Sequence, residues 1–307
     1  MKFVKMNLIF DIYHIKKKII IFLLFLLLSI LNLEAIESIN NKISLVIPIA
    51  PRDFEKILFN LKFYKKYIIG ISNYIFIGNK EVEKLIKKNR TSFFKMTYKF
   101  INENFLIDVD KIKKLIKKRD KDAINRSGWY IQQFLKMQYC QICKKEYYLI
   151  WDSDTIPVKE VNMFRDDRKP YFDVKTEYHI PYFITMKKLF PELGKKNDYS
   201  FISEHMLIKT KLMKNLIKRI DNNTNILGDK WYEKIINSIN ITDLRFSGFS
   251  EFETYGTFVN EHYNHSYIIR PWKSLRNGKY YYNPKFFTFN DAQNISKKYD
   301  AISFENW

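Results

Sequence analysis

The sequence predicts an α/β protein: an open, mostly parallel sheet flanked by helices, followed by a less regular α+β second half. Three observations predict it. Strand-like and helix-like patterns alternate over residues 41–157, and the apolar run in "YYLIWDSDTIPVK" stops abruptly at two aspartates. Of 307 residues, 46% are hydrophobic, which is enough to fill a large core.

The first strand lies in "KISLVIPIAPRDF", stopped by Pro48 and Pro51, and "FEKILFNLKFYKKY" follows with the apolar period of a helix. "YIIGISNYIFIGN" reads as a second strand ending at Gly78 and Asn79, and "KEVEKLIKKN" as a second helix. "VDKIKKLIKKR" and a long "SGWYIQQFLKMQYCQICKK" repeat apolar residues at three and four before the strand that ends at Trp151. Such alternation implies parallel crossovers. Beyond Pro157, short strands and helices mix, as in "SEHMLIKTKLMKNLIKRI", "WYEKIINSIN" and "YIIRPWKS". Gly and Pro number eight each and never cluster, so residues 42–307 read as one domain without a linker.

The 53 basic and 33 acidic residues leave a formal +20. Lysine is spread along the whole chain beside Ile and Asn rather than gathered in a patch, which argues against a nucleic-acid partner. Anionic lipid head groups or phosphorylated donors are the better use of that charge. Cys140 and Cys143 supply neither a disulfide framework nor a four-ligand zinc site, and read as two small buried residues. Lys16, Lys17 and Lys18 precede a thirteen-residue apolar core, 19–31, short for a spanning helix and closer to a signal-peptide core. Residues 1–35 therefore read as a signal peptide or signal anchor. The body would be membrane-associated, or exported if the segment is cleaved; the side of the membrane stays open.

In extended backbone, residues two apart point the same way, so Asp152 and Asp154 can aim at one point while Ser153 faces opposite. Ligands of open α/β sheets lie beyond the carboxyl ends of strands, where this pair falls. Two convergent carboxylates suit Mg²⁺ or Mn²⁺ shared with phosphate oxygens, although aspartates before Pro157 also suit a turn.

At these residues the chain resembles the GT-A glycosyltransferases, whose D-x-D holds a divalent metal on a nucleotide-sugar diphosphate. "GWYIQQFLKM", "WDSDTIP", "SEHMLIKTKLMKNLI" and "SGFSEFETYG", in that order, are similar to a bacterial family grouped with the glycosyltransferases, of largely unassigned activity. The resemblance implies a GT-A-like sheet, with 42–157 as the nucleotide-sugar half and 158–307 as the acceptor half. It implies donor contacts from Arg52, Asp53, Arg126, Gln132 or Gln133, Lys136, Asp152 and Ser153, with Asp152 and Asp154 on the metal. Asp53 would serve equally as a helix cap. Trp129 and Phe134 read as core.

A sugar hydroxyl needs a carboxylate or His to take its proton, and Glu251 and Glu253 are available. Ser250 to Glu253 is also a capping box, which favours Glu251 as base and leaves Glu253 as its partner or alternate. His205 opens a strand, where an acceptor-pocket role and a core role compete. His262 and His265 could add a metal ligand but suit a solvated loop, and His179 takes no role. The function implied is metal-dependent transfer of a sugar from a nucleotide-diphosphate sugar to a hydroxyl on a glycan or glycolipid. The alternatives are a membrane-associated carbohydrate- or lipid-binding module without catalysis, or another metal-dependent nucleotide-diphosphate enzyme.

Overall fold

β1 (Ile43–Pro48) is buried along its whole length, as a strand covered by helices on both faces must be. It is the middle strand of the computed structural model, which describes residues 18–27, 43–166 and 168–305. The chain divides into two units, Met1–Asn41 and Lys42–Trp307. In the first, residues 18–27 form a helix with exposed apolar side chains. The rest of the expected targeting segment, Lys16 and Lys17 included, lies outside the described residues. Among the described residues no helix is long and apolar enough to cross a membrane.

In the second unit, β1 is followed by α1 (Phe54–Tyr67), β2 (Ile71–Gly78), α2 (Lys80–Lys88), β3 (Tyr98–Asn102), α3 (Val109–Arg119), α4 (Ser127–Gln138) and β4 (Tyr147–Trp151). The later chain adds β5 (Thr155–Pro157), β6 (Tyr171–Val174), α5 (Ile180–Leu189), β7 (His205–Lys209), α6 (Thr210–Asp221) and α7 (Trp231–Ser238). It closes with α8 (Glu251–His262), β8 (Ile268–Pro271), β9 (Ser274–Leu275), α9 (Phe289–Ile295) and β10 (Ala301–Ser303).

The central sheet runs β3-β2-β1-β4-β7, parallel except for β7, which pairs antiparallel to β4. Alternate residues of β1 feed two cores. Val46 faces a cluster with Tyr148 and Ile150 of β4 and helices α3, α4, α6, α7 and α8; Leu45 and Ile47 face α1 and α2. Each such side chain, fully buried, contributes on the order of 1.5–3 kcal/mol. The mixed α/β architecture with a mostly parallel sheet is the one the alternation predicts.

Two details differ. β3 was not legible, because its residues are mostly half-exposed at a sheet edge and carry no apolar run. The long helix through Cys143 stops at Gln138 and tightens into a 3₁₀ turn, Tyr139–Gln141. Cys140 and Cys143 are free and buried, and burial holds the Cys140 thiol well above its ordinary pKa, so it is inert.

Candidate active site

From β1 the chain moves to one side for β2 and β3, then returns to the other side for β4. The loops after β1 and β4 therefore part over a crevice at the carboxyl ends of two adjacent parallel strands, the switch point of an open sheet. A cavity of about 760 Å³ occupies it. The β1 loop supplies Arg52 and Asp53, and the first turn of α1 Lys56; α4 and its approach supply Arg126, Trp129, Gln132, Gln133 and Lys136; the β4 loop supplies Asp152, Ser153 and Asp154. Ser250, Glu251 and Phe252 enter from the start of α8, and Glu177, Tyr182, Glu204, Arg276 and Glu305 from the rest of the second half. The lining holds seven carboxylates against five cationic side chains, a formal deficit of two on a chain of +20. The cavity is thus locally anionic, which suits a cation.

The β4 loop is held from all sides. The Asp152 N–H donates to the Glu204 carbonyl at 2.9 Å, and the Thr155 N–H to the Asp152 carbonyl at 3.1 Å. Asn60 Nδ2 of α1 donates to the Ser153 carbonyl at 2.8 Å, and the Phe304 N–H to the Asp154 carbonyl at 2.8 Å. Glu204, at φ 63°, stores left-handed backbone strain beside the site. Its carboxylate is claimed by Lys175 at 2.6 Å, Ser274 at 3.0 Å and Trp272 at 3.3 Å.

Burial, and next the charge of Asp152, push the Asp154 carboxyl up to about 7. An acid so raised carries negative charge that its surroundings do not offset, and a cation would relieve it. The donor set is oxygen only, which fits Mn²⁺ or Mg²⁺ held by Asp154 and Asp152. Among the described residues no group of three or more His, Cys, Asp or Glu could cage a metal. Phosphate oxygens and water would complete the shell, as these ions ordinarily require.

Lys136 is buried, and its ammonium bridges Asp152 and Glu251, the latter at 2.8 Å. Burial alone would lower its pKa; the two carboxylates outweigh that and raise it. Its charge is therefore committed within the protein rather than free for donor phosphate. Burial raises the Glu251 carboxyl and Lys136 opposes the rise. The Glu251 N–H donates to Gln133 Oε1 at 3.0 Å, so Gln133, itself buried, positions the start of α8.

Ten of the residues expected in the site meet in this cavity: Arg52, Asp53, Arg126, Gln132, Gln133, Lys136, Asp152, Ser153, Asp154 and Glu251. Asp53 makes no capping hydrogen bond and pairs instead with Lys56 at 2.9 Å. Trp129, expected in the core, lines the cavity, with the Arg126 guanidinium 4.5 Å from its ring centre. Phe134 is core.

Glu253 and His205 lie elsewhere. Ser250 caps α8 by accepting the Glu253 N–H at 3.2 Å, but the Glu253 carboxylate turns to Ser200 Oγ at 2.6 Å and the Phe201 N–H at 3.2 Å, away from the cavity. His205 is buried, stacked 4.6 Å from Trp151 and bonded to Asp173 at 2.8 Å, which Arg270 also holds. Its ring is a satisfied core group, not an acceptor contact. His262 and His265 are exposed, His262 beside Arg219 and Glu192. Glu177, Glu204, Arg276 and Glu305 were not foreseen, although Glu204 stands next to His205 in "SEHM".

Residues 40–278 match the model of a family described as "Family of unknown function (DUF6492)". Among solved structures the chain is similar to mouse xyloside xylosyltransferase 1, apo form, at 12% identity and a TM-score of 0.42, covering 86% of this chain and 97% of that one. It is similar to the galactosyltransferase LgtC in complex with donor and acceptor sugar analogues at 8% identity and 0.42, covering 86% and 87%. A third, the Mn/GDP form of core-mannan synthase A from Aspergillus fumigatus, has 12% identity and 0.37, covering 65% and 70%. No curated protein matches the chain.

Proposed function

The chain belongs to the family of unknown function DUF6492, and we propose that it is a metal-dependent glycosyltransferase moving a sugar from a nucleotide-diphosphate sugar to a hydroxyl acceptor. One observation carries this reading: an acidic doublet, Asp152 and Asp154, ends the strand at the sheet's switch point and faces a cavity of about 760 Å³ with a net anionic lining. The GT-A-like motif order in the sequence supports it.

Asp154, with Asp152, would hold Mn²⁺ or Mg²⁺. That ion would offset the charge developing on a diphosphate leaving group. The chain's own residues do the rest. Arg126, braced over Trp129 and donating Nε to the Phe246 carbonyl at 2.6 Å, presents fixed positive charge on the cavity wall for phosphate. Arg52, 87% exposed and 3.6 Å from Asp53, adds a cation at the rim. Lys136 bridges Asp152 and Glu251 and so orients both carboxylates. Glu251 is the group suited to accept the proton of an acceptor hydroxyl, because it lines the cavity and burial raises its basicity above that of an ordinary carboxylate. A base there goes with inversion at the anomeric carbon, which the configuration of the product reports.

The test is a screen of UDP- and GDP-sugars with Mn²⁺, following nucleoside diphosphate release. Asp154→Ala should abolish release without changing the circular dichroism. Undiminished release by that variant, or release insensitive to EDTA, would overturn the reading.

A further inference from the structure

Helix α5 carries two faces with different surroundings. Tyr182, with Glu177 just before the helix, lines the cavity at the switch point. Ile180, Ile184 and Lys187, four and then three residues apart, lie on another face and floor a separate groove of about 460 Å³. Ile180 is 55% and Tyr178 59% exposed, far more than residues of this size need be. The neighbouring loop adds to this surface. Lys188 Nζ donates to Asn240 Oδ1 at 2.6 Å, and His179 Nε2 lies 2.8 Å from the Ser247 carbonyl, tying the loop alongside α5 at both ends. That loop, which winds into a short helix over Ile241–Leu244, exposes Ile241 (54%) and Phe246 (69%). Arg126, a cavity-lining residue, donates to the Phe246 carbonyl, so the apolar surface adjoins the cavity.

The rim is basic. Lys187 and Lys188 bridge to no carboxylate among the described residues, Lys188 donating to an amide oxygen; Lys195 meets a carbonyl and the rings of Tyr178 and Phe183 and feels the charge of Glu253, and Glu192, the acid of the groove, is taken by Arg219. Large aliphatic and aromatic side chains flanked by lysines, of which Lys187 and Lys188 pair with no carboxylate among the described residues, are complementary to an anionic lipid surface, which accepts the former among its acyl chains and the latter at its phosphates. A second copy of the chain fits poorly. A two-fold contact through this face would press the same lysines of both copies together, on molecules already at a formal +20.

We propose that the face formed by α5 and the 240–247 loop docks on an anionic bilayer and holds the cavity beside it. This stands independently of the residues 1–35 segment. Resting on the function proposed above, it would make the acceptor a bilayer lipid carrying the hydroxyl, reached from the side of Tyr182.

The experiment reads the face itself, in the full chain. A single cysteine is introduced as Ile184→Cys or Phe246→Cys and labelled with an environment-sensitive NBD dye, the native Cys140 and Cys143 being buried. Tyr281→Cys, on the separate exposed aromatic surface at Tyr280 and Tyr281, is labelled in parallel. With phosphatidylcholine vesicles containing phosphatidylglycerol, emission at 184 and 246 should shift to the blue, and less so at high salt. Lys187→Glu with Lys188→Glu should weaken the vesicle dependence of that shift by at least about fivefold per lysine.

A shift confined to position 281, or none at 184 and 246, overturns the proposal. So does a lipid-independent shift that grows with protein concentration, which would assign the face to a second copy. Nucleoside diphosphate release is measured without lipid, so either proposal can fail alone.

Discussion

Replacing Lys136 with methionine keeps the length of the side chain and removes the ammonium shared by Asp152 and Glu251. The two carboxylates are not stranded equally. Asp152 keeps 26% of its side chain in solvent and can rehydrate, whereas Glu251 keeps 4% and cannot. Breaking a buried pair from one side costs about 3–5 kcal/mol. Rehydration of Asp152 places the expected loss near the lower end, about 3 kcal/mol. For a domain of this size that lowers Tm by about 6–12 °C.

The sign of the pH dependence follows from Glu251. Burial raises its carboxyl above the ordinary 4.5 and Lys136 opposes this, so without Lys136 it rises further. The folded variant then binds a proton that the unfolded chain has released. Its stability falls as pH rises above the ordinary 4.5 toward the raised folded value, and its deficit against the parent narrows in acid. Melting curves at pH 5 and 7.5 measure both effects, and adding Glu251→Gln to Lys136→Met should recover most of the loss. A Lys136→Met protein melting with the parent at pH 7.5, or a double variant no more stable than the single, would refute the bridge as described.

The Asp154 carboxyl, raised to about 7, must lose its proton before it can ligate, so Mn²⁺ affinity should fall roughly tenfold per pH unit below about 7, with proton release on binding. In the metal-free protein this acid contributes most stability below its unfolded value of 3.8 and loses it as pH rises toward 7. Mn²⁺ should therefore raise Tm more at pH 8 than at pH 6; an equal rise at both would contradict the assignment. At Gly256 of α8, an added Cβ would stand 2.1 Å from Phe201 Cγ, so Gly256→Ala should cost about 1–3 kcal/mol by overpacking, and an unchanged Tm would count against that contact.

The parts of the fold that the sequence disclosed are those whose environment is written locally. Strands β1 and β4 are covered on both faces and so appear as unbroken apolar runs, and the loops that follow them are adjacent in the chain to the strands that aim them. Arg52, Asp53, Asp152 and Asp154 were legible for that reason. Glu177, Glu204, Arg276 and Glu305 were not, because the cavity gathers them from distant segments with no shared pattern. Lys136 lines the cavity, but its bridge to two carboxylates there is not the contact with donor phosphate that the sequence suggests. Its partners lie 16 and 115 residues away, and nothing in "QQFLKM" says that two carboxylates claim it.

Glu251 and Glu253 are the most instructive pair, because their spacing in the chain already limits what they can share. Two residues on a helix differ by about 200°, so the pair cannot share a target as Asp152 and Asp154 do in extended chain. What the sequence leaves undetermined is the rotation of α8 about its axis. Glu253 and Gly256 are three apart and lie on one face, and both meet the same segment: Glu253 bonds Ser200 and the Phe201 N–H, and Gly256 lies against the Phe201 ring. Only a residue without a Cβ lets the helix come that close. That contact, with the Ser250 cap, sets the helix's phase and turns Glu251 the other way, onto Lys136 and into the cavity. The glycine of "SGFSEFETYG" thus acts on the site without touching it, by deciding which of two glutamates the site receives.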